Sequence, residues 1–207
     1  MTFAKRVMGR LPRLGRRTYC PAEYWEGRAA DLIETYDHPE TWPELGWLRE
    51  GAEDETVPRI LRETGCRTVL VLGAGSGRQY GYLADFDACG FDISPTLVAE
   101  ATRRHPNVRT VVGTVVGCER LFGQRDAVVS SSVLGHIPPR SIERTMRSVQ
   151  ASAKKTVIVR EYTTIGRRSR YQFAHDYVRL MEPWRVIHRE TTDDRDGFEA
   201  ELIAFCR

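Results

Sequence analysis

The sequence predicts an α/β chain built on a doubly wound sheet, mostly parallel with an antiparallel last strand, and entered through a short N-terminal helical lid. Three observations carry this. Short runs dense in β-branched and apolar residues recur at Thr68–Leu72, Ala88–Phe91, Val108–Val112, Ala127–Ser130 and Thr156–Val159, as strands buried on both faces require. Helix-like segments separate them, so each strand is expected to reach the next by a crossover. The last two strand-like runs, Trp184–Arg189 and Glu199–Phe205, are joined through Asp193–Gly197 (DDRDG). That stretch is too short for a crossover helix, so the two runs should pair antiparallel.

Taken in order, the first seventeen residues hold six cations (Lys5, Arg6, Arg10, Arg13, Arg16, Arg17) and no acid, so the chain's +3 balance becomes −3 over the rest. The basic character belongs to a tail. We read it as lid-like, with contact to an anionic surface and a packed helix as the other readings. Trp25, Ala29, Ile33 and Tyr36 recur at helical spacing and predict a helix from Pro21 to about Tyr36, with proline in its first turn. A loop follows from His38 to about Trp47. A second helix is expected over Glu53–Glu63, stopped by Gly65. Between the strands, Pro95–Arg104 reads as a helix capped by Ser94, another starts near Arg140, and one more covers about Tyr171–Leu180. The expected division is residues 1–55 as tail and lid, and 56–207 as the α/β domain.

At 207 residues, with 41% hydrophobic and 29% charged side chains, one domain with a core of its own is expected. No apolar run approaches the roughly 20 residues a membrane span needs, and no signal peptide is read. Cys20, Cys66, Cys89, Cys118 and Cys206 are scattered without a CxxC pair, which reads as reduced thiols and a cytoplasmic protein. The five histidines lack HxxxH or HExxH spacing, so no metal site is expected. A basic face with interleaved aromatics is also missing from the body, which argues against nucleic acid as partner.

The sharpest local pattern is VLVLGAGSGR, Val69–Arg78. A buried strand runs into Gly73-Ala74-Gly75-Ser76-Gly77, where a chain without side chains can turn tightly and lay its backbone against a ligand. Nineteen residues after Gly73, GFDIS places Asp92 at the end of the next strand, where a carboxylate can accept from both hydroxyls of a ribose. A dinucleotide loop, GxGxxG, would need its last glycine at Arg78. That argues against a nicotinamide oxidoreductase.

With GxGxG in place of GxGxxG, the chain resembles the class I S-adenosylmethionine-dependent methyltransferases, a Rossmann-like family, over roughly Val57 to Arg207. The resemblance implies S-adenosyl-L-methionine as cofactor, with Gly73, Ala74, Gly75 and Gly77 lining it, Asp92 on the ribose and Ile93 beside the adenine. Two positions depart from the family pattern. Val71 stands where an acid often precedes the first glycine, and VVGTVVG after the third strand offers Thr114 or backbone in place of an acid near the adenine amine.

The segment after the fourth strand, SSSVLGHIPPRS, faces the methyl group in that family, and His136 there is the candidate general base; a packing histidine is the competing reading. Glu161 and Tyr162 after the fifth strand, His175 in FAHDY, and Tyr24 and Trp25 in the lid are the candidate substrate-binding residues. The stretch Ser131–Leu134 lacks the Asn/Asp-Pro-Pro-aromatic tetrad of base amino-methylating enzymes, no cysteine nucleophile stands nearby, and the only body lysines are Lys154 and Lys155. This elimination favours a small-molecule acceptor. The expected activity is O-methylation of a sugar, oligosaccharide or specialised metabolite; a small-molecule N-methyltransferase and a non-catalytic cofactor-binding protein are the alternatives, and a homodimer is left open.

Overall fold

The computed structural model describes residues 19–37, 53–164, 171–195 and 198–207. The basic tail, the loop from His38 to Trp47 and the tip of the last hairpin lie outside the described residues.

The elements are α1 (Pro21–Glu26), α2 (Ala29–Asp37), α3 (Glu53–Glu63), β1 (Thr68–Leu72), α4 (Arg78–Tyr82), β2 (Asp87–Asp92), α5 (Pro95–Arg104), β3 (Arg109–Val112), α6 (Glu119–Phe122), β4 (Arg125–Ser131), a 3-10 turn (Leu134–His136), α7 (Pro139–Ser152), β5 (Ala153–Thr164), α8 (Tyr177–Leu180), β6 (Arg185–Arg195) and β7 (Phe198–Cys206). The seven strands form one sheet in the order β3-β2-β1-β4-β5-β7-β6. Strands β1 to β5 are parallel, and β7 runs antiparallel to both of its neighbours, β5 and β6.

The apolar runs divide by the period of two that a pleated strand imposes. Leu70, Leu72, Val128, Val157 and Val159 face one side of the sheet, where Met146 and Val149 of α7 and Tyr177 and Met181 pack on them. Val69, Val71, Ala127, Val129 and Ile158 face the other, under Val57, Ile60 and Leu61 of α3 and Ala101 of α5. Both faces are covered, which is why these strands read as continuous hydrophobic runs. The order reverses between β1 and β4, so the carboxyl ends of β1, β2 and β4 open on one edge, where ligands of such sheets bind.

Three expectations need correction. The helix expected from Pro21 to Tyr36 breaks at Gly27–Arg28, where the Gly27 amide turns back to Glu23 O at 3.1 Å and the chain restarts as α2. The helix expected over Tyr171–Leu180 shrinks to α8, capped by the Asp176 side chain on the Arg179 amide. Residues 171–175 make tertiary hydrogen bonds instead. Finally, β5 continues past Val159 to Thr164, because its outer half pairs with β7 up to Glu199, and Asp193–Arg195, expected as connection, are strand.

Candidate active site

The glycine loop is held by its neighbours. Gly73 has φ +58°, and a Cβ there would overlap the Val133 side chain from the loop after β4. The Ala74 amide donates to Phe91 O at 2.9 Å, fastening the loop to the end of β2. Gly75 has φ +56° and faces open space beyond its Cα. Its amide donates to Asp92 Oδ2 at 2.9 Å, and the Ser94 amide donates to Oδ1 at 2.9 Å. Gly77 caps α4. Asp92 is 7% exposed; burial pushes its carboxyl up, while the Ser94, Gly75 and Ile93 amides pull it back. Three amides leave part of the carboxylate's acceptor capacity unused.

Ile93 is half-buried beside it. Val112, level with Asp92 on β3, is 52% exposed. An exposed apolar residue at a strand's carboxyl end, next to an acid, suits the plane of a base. The sequence reading passed over Val112, although its position at the end of an apolar run could have found it. The Thr114 hydroxyl donates to Val116 O at 3.1 Å.

At the exit of β4, Ser132 takes φ +57°, uncommon for a residue with a side chain. Its amide bonds Arg160 O at 2.9 Å, and Arg160 Nη1 donates to its hydroxyl at 3.1 Å. The next turn is organised by Glu161. Oε1 accepts from the Ser130 hydroxyl and from the Val133 and Leu134 amides, and Oε2 from the Gly135 amide, all at 2.9–3.0 Å. Glu161 is 1% exposed, and burial pushes its carboxyl up against these four donors. The structure therefore places it beneath the loop, with its oxygens already engaged, and not open to a substrate.

His136 ends that turn. Its Nδ1 lies 2.8 Å from Tyr171 O. A carbonyl only accepts, so Nδ1 carries the proton and the lone pair sits on Nε2. Burial, with a smaller contribution from the charge of Arg28, lowers its pKa to about 4. Two more contacts fix the same pairing: the Phe173 amide donates to Gly135 O at 2.7 Å, and His175 Nε2 to Ile137 O at 2.9 Å. Residues 171–175 thus lie along residues 135–137 as a strap.

The lid closes on this turn. Trp25 meets the His136 ring edge-on with centroids 4.7 Å apart, Tyr19 stacks on Tyr171 at 4.5 Å, and Tyr24 touches both Trp25 and Tyr171. Glu26 anchors α1 by accepting from the Ser94 and Thr96 hydroxyls at the start of α5, and these bonds hold its carboxyl below the usual range. Tyr24, Trp25 and His136 are brought together. Tyr162 stands apart, on β5 opposite Ala200 with Arg160 over its ring at 5.6 Å. His175 lines a separate groove of about 450 Å³ with Asp176, Arg189 and Glu201.

A second network also escaped the sequence reading. Glu53, 2% exposed, accepts from Arg78 Nη2 at 2.7 Å, the Ser131 hydroxyl at 3.1 Å and the Tyr82 hydroxyl at 3.3 Å. Arg78, at the position where a dinucleotide loop needs glycine, is thus engaged toward α3.

These features fit S-adenosylmethionine: a left-handed turn at Gly75 with open space beyond its Cα, a carboxylate with lone-pair capacity left, and the apolar Ile93 and Val112 at the carboxyl ends of β2 and β3. Residues 69–156 match the family model described as a methyltransferase domain. No curated protein matches the chain. Among solved structures it is similar to magnesium protoporphyrin IX methyltransferase from Synechocystis PCC 6803 with bound S-adenosylmethionine, at 16% identity over 99% of this chain and 93% of that one, TM-score 0.60. It is also similar to 1,6-didemethyltoxoflavin-N1-methyltransferase from Burkholderia thailandensis, at 16% identity over 94% and 93%, TM-score 0.59. The PH0226 protein from Pyrococcus horikoshii OT3 covers 74% of this chain and 88% of its own, at 15% identity and TM-score 0.61. At these identities the structural likeness is one of fold, and the family match covers residues 69–156. Residues 69–156 thus carry the pattern of a methyltransferase domain, on a fold shared with enzymes that bind S-adenosylmethionine.

Proposed function

We propose that the protein transfers a methyl group to a hydroxyl of a small molecule, a sugar, oligosaccharide or specialised metabolite, with His136 as general base. The observation that carries this is the tautomer: the bond from Nδ1 to Tyr171 O leaves Nε2 as an unprotonated acceptor at the edge where β1 and β4 end. Residues 1–55 serve as tail and lid over the domain formed by 56–207, with α3 bridging the two.

In this reading Gly73, Ala74, Gly75 and Gly77 carry the backbone against the cofactor, Asp92 holds its ribose, and Ile93 flanks its adenine. When bound, the cofactor supplies an electrophilic methyl on a sulfonium sulfur, which leaves as a neutral thioether. Tyr24 and Trp25 orient the acceptor and exclude water, which proximity makes worth several kcal/mol. His136 Nε2 takes the hydroxyl proton as the oxygen–methyl bond forms, and releases it to solvent after turnover. Tyr162 and His175 remain proposed substrate contacts; Glu161 acts through the loop that it orders.

The toxoflavin enzyme methylates nitrogen by its name, so N-methylation of a small amine is the second reading; an amine needs only to be unprotonated. His136→Ala separates the two. We expect turnover on a hydroxyl acceptor to fall by about 10²–10⁴-fold with S-adenosylhomocysteine affinity intact. Turnover largely retained at high pH favours the amine.

A further inference from the structure

The lid carries a cation that neither the fold nor the proposed chemistry uses. Arg28 follows the break between α1 and α2, with its guanidinium 5.6 Å from the centre of the Tyr24 ring. Its Nε is buried and has no hydrogen-bond partner, and no carboxylate pairs with it among the described residues. The Tyr19 hydroxyl is also buried; its side-chain neighbour is Trp25, whose indole N–H can only donate, so the Tyr19 O–H has no acceptor. Both groups belong to the aromatic cluster of Tyr19, Tyr24, Trp25 and Tyr171 that closes on His136.

A buried donor without a partner costs free energy, and Arg28 keeps one at Nε although the residue as a whole is only half-buried. Two other partly buried arginines are answered by carboxylates, Arg78 by Glu53 at 2.7 Å and Arg104 by Asp37 and Glu100 at 2.6 Å, and the buried Arg160 by the Thr192 and Ser132 hydroxyls. An unanswered pair of donors, walled by flat rings and adjoining the proposed base, is a recognition site lacking its complement. Its complement is planar and anionic. A flat ring suits the faces of the tyrosine and tryptophan side chains, and a carboxylate or phosphate suits a guanidinium fork.

We propose that Arg28 and Tyr19 bind an anionic group, carboxylate or phosphate, on an aromatic acceptor whose hydroxyl faces His136. This rests on the methyltransferase reading above and narrows its acceptor to aromatic hydroxy acids and their phosphate counterparts. Arg28 is then a specificity residue. An anion seated there would also offset the positive charge that weakens His136 as a base.

The test uses the full-length protein saturated with S-adenosylhomocysteine and titrated calorimetrically with three probes: 4-hydroxybenzoate, 4-hydroxyphenyl phosphate and the neutral 4-hydroxybenzyl alcohol. The expected result is at least about tenfold tighter binding of one anionic probe than of the alcohol, the size of one charge-assisted hydrogen bond. The anionic probe that wins identifies carboxylate or phosphate. Arg28→Gln should erase the preference without changing S-adenosylhomocysteine affinity, and Arg28→Lys should restore part of it, which controls for misfolding. Equal affinity for all three probes, no binding of either anion at millimolar concentration, or a preference that survives Arg28→Gln overturns the proposal. Failure to bind S-adenosylhomocysteine would instead strike the methyltransferase reading.

Discussion

Glu161 Oε2 accepts the Gly135 amide at 3.0 Å, one residue before His136. Oε1 takes the two preceding amides and the Ser130 hydroxyl. One carboxylate on β5 therefore fixes the turn that leaves β4, and with it the direction of the imidazole. Loops that carry reactive groups need such support, because a misplacement of about 1 Å can cost a hundredfold in rate.

Removing that carboxylate should be felt in stability. Glu161→Ala leaves three amides and a hydroxyl buried without a partner, at about 1–3 kcal/mol each. We expect a loss of at least about 3 kcal/mol, which in a chain of this size lowers Tm by about 6–12 °C. Urea denaturation and thermal melting check it. A change below about 1 kcal/mol would mean that the turn holds itself.

Gly73 and Gly75 share a left-handed backbone but differ in what lies beyond it. Gly73→Ala adds strain of about 1–2 kcal/mol to an overlap with Val133. Gly75→Ala adds only the strain, since its Cβ meets open space. Gly73→Ala should therefore have the lower Tm. Gly75→Ala, folded and stable, should bind S-adenosylhomocysteine at least about tenfold more weakly, because its methyl fills that space. The reverse order of the two Tm values would contradict this placement.

The alternation of buried runs and helices was enough to read the parallel sheet, the spacing from Gly73 to Asp92 and the antiparallel return of the last strand. These follow from local periodicity and turn chemistry. What escaped were tertiary choices. Arg78 and Glu53 lie 25 residues apart, and nothing local pairs them. Tyr171–His175 has helical composition, yet its backbone and the His175 ring make hydrogen bonds to residues 135–137, which outweigh a weak propensity. Glu161 looked like a substrate ligand because it follows a strand on the ligand edge; only the fold reveals that four donors from the β4 exit already surround it.

Asp92 offers a cleaner separation of binding from stability. Burial raises its folded pKa, so its contribution to stability is greatest below the unfolded value and is lost as pH rises through the folded one. Asp92→Asn removes the buried charge and weakens one amide contact, so at neutral pH the fold should lose little. S-adenosylhomocysteine affinity, which draws on the ionised oxygens, should fall by about 10–100-fold. Calorimetry on the variant, with its melting curve beside it, reads both quantities; an affinity within twofold of the parent's would remove Asp92 from the ribose.

His136 makes the sharpest pH prediction. Burial lowers its folded pKa to about 4, below the ordinary histidine value of about 6.5, so the unfolded chain binds the extra proton first as pH falls. Stability from this group is therefore complete above about pH 6.5 and drains away toward pH 4, at a slope of at most about 1.4 kcal/mol per pH unit. His105 and His175 are lowered as well, so the parent's pH dependence alone does not isolate His136. His136→Phe keeps a ring against Trp25 but cannot titrate; urea denaturation of both proteins at pH 4.5, 5.5 and 7.5 should show the gap between them changing with pH in the parent's favour as pH rises. Activity on a hydroxyl acceptor should be level from about pH 5 upward as far as this group is concerned, because Nε2 is already unprotonated there. A rate that climbs tenfold per pH unit between 5.5 and 6.5 would mean that the imidazole titrates near its ordinary value and is not enclosed by Trp25 and Tyr171 in solution.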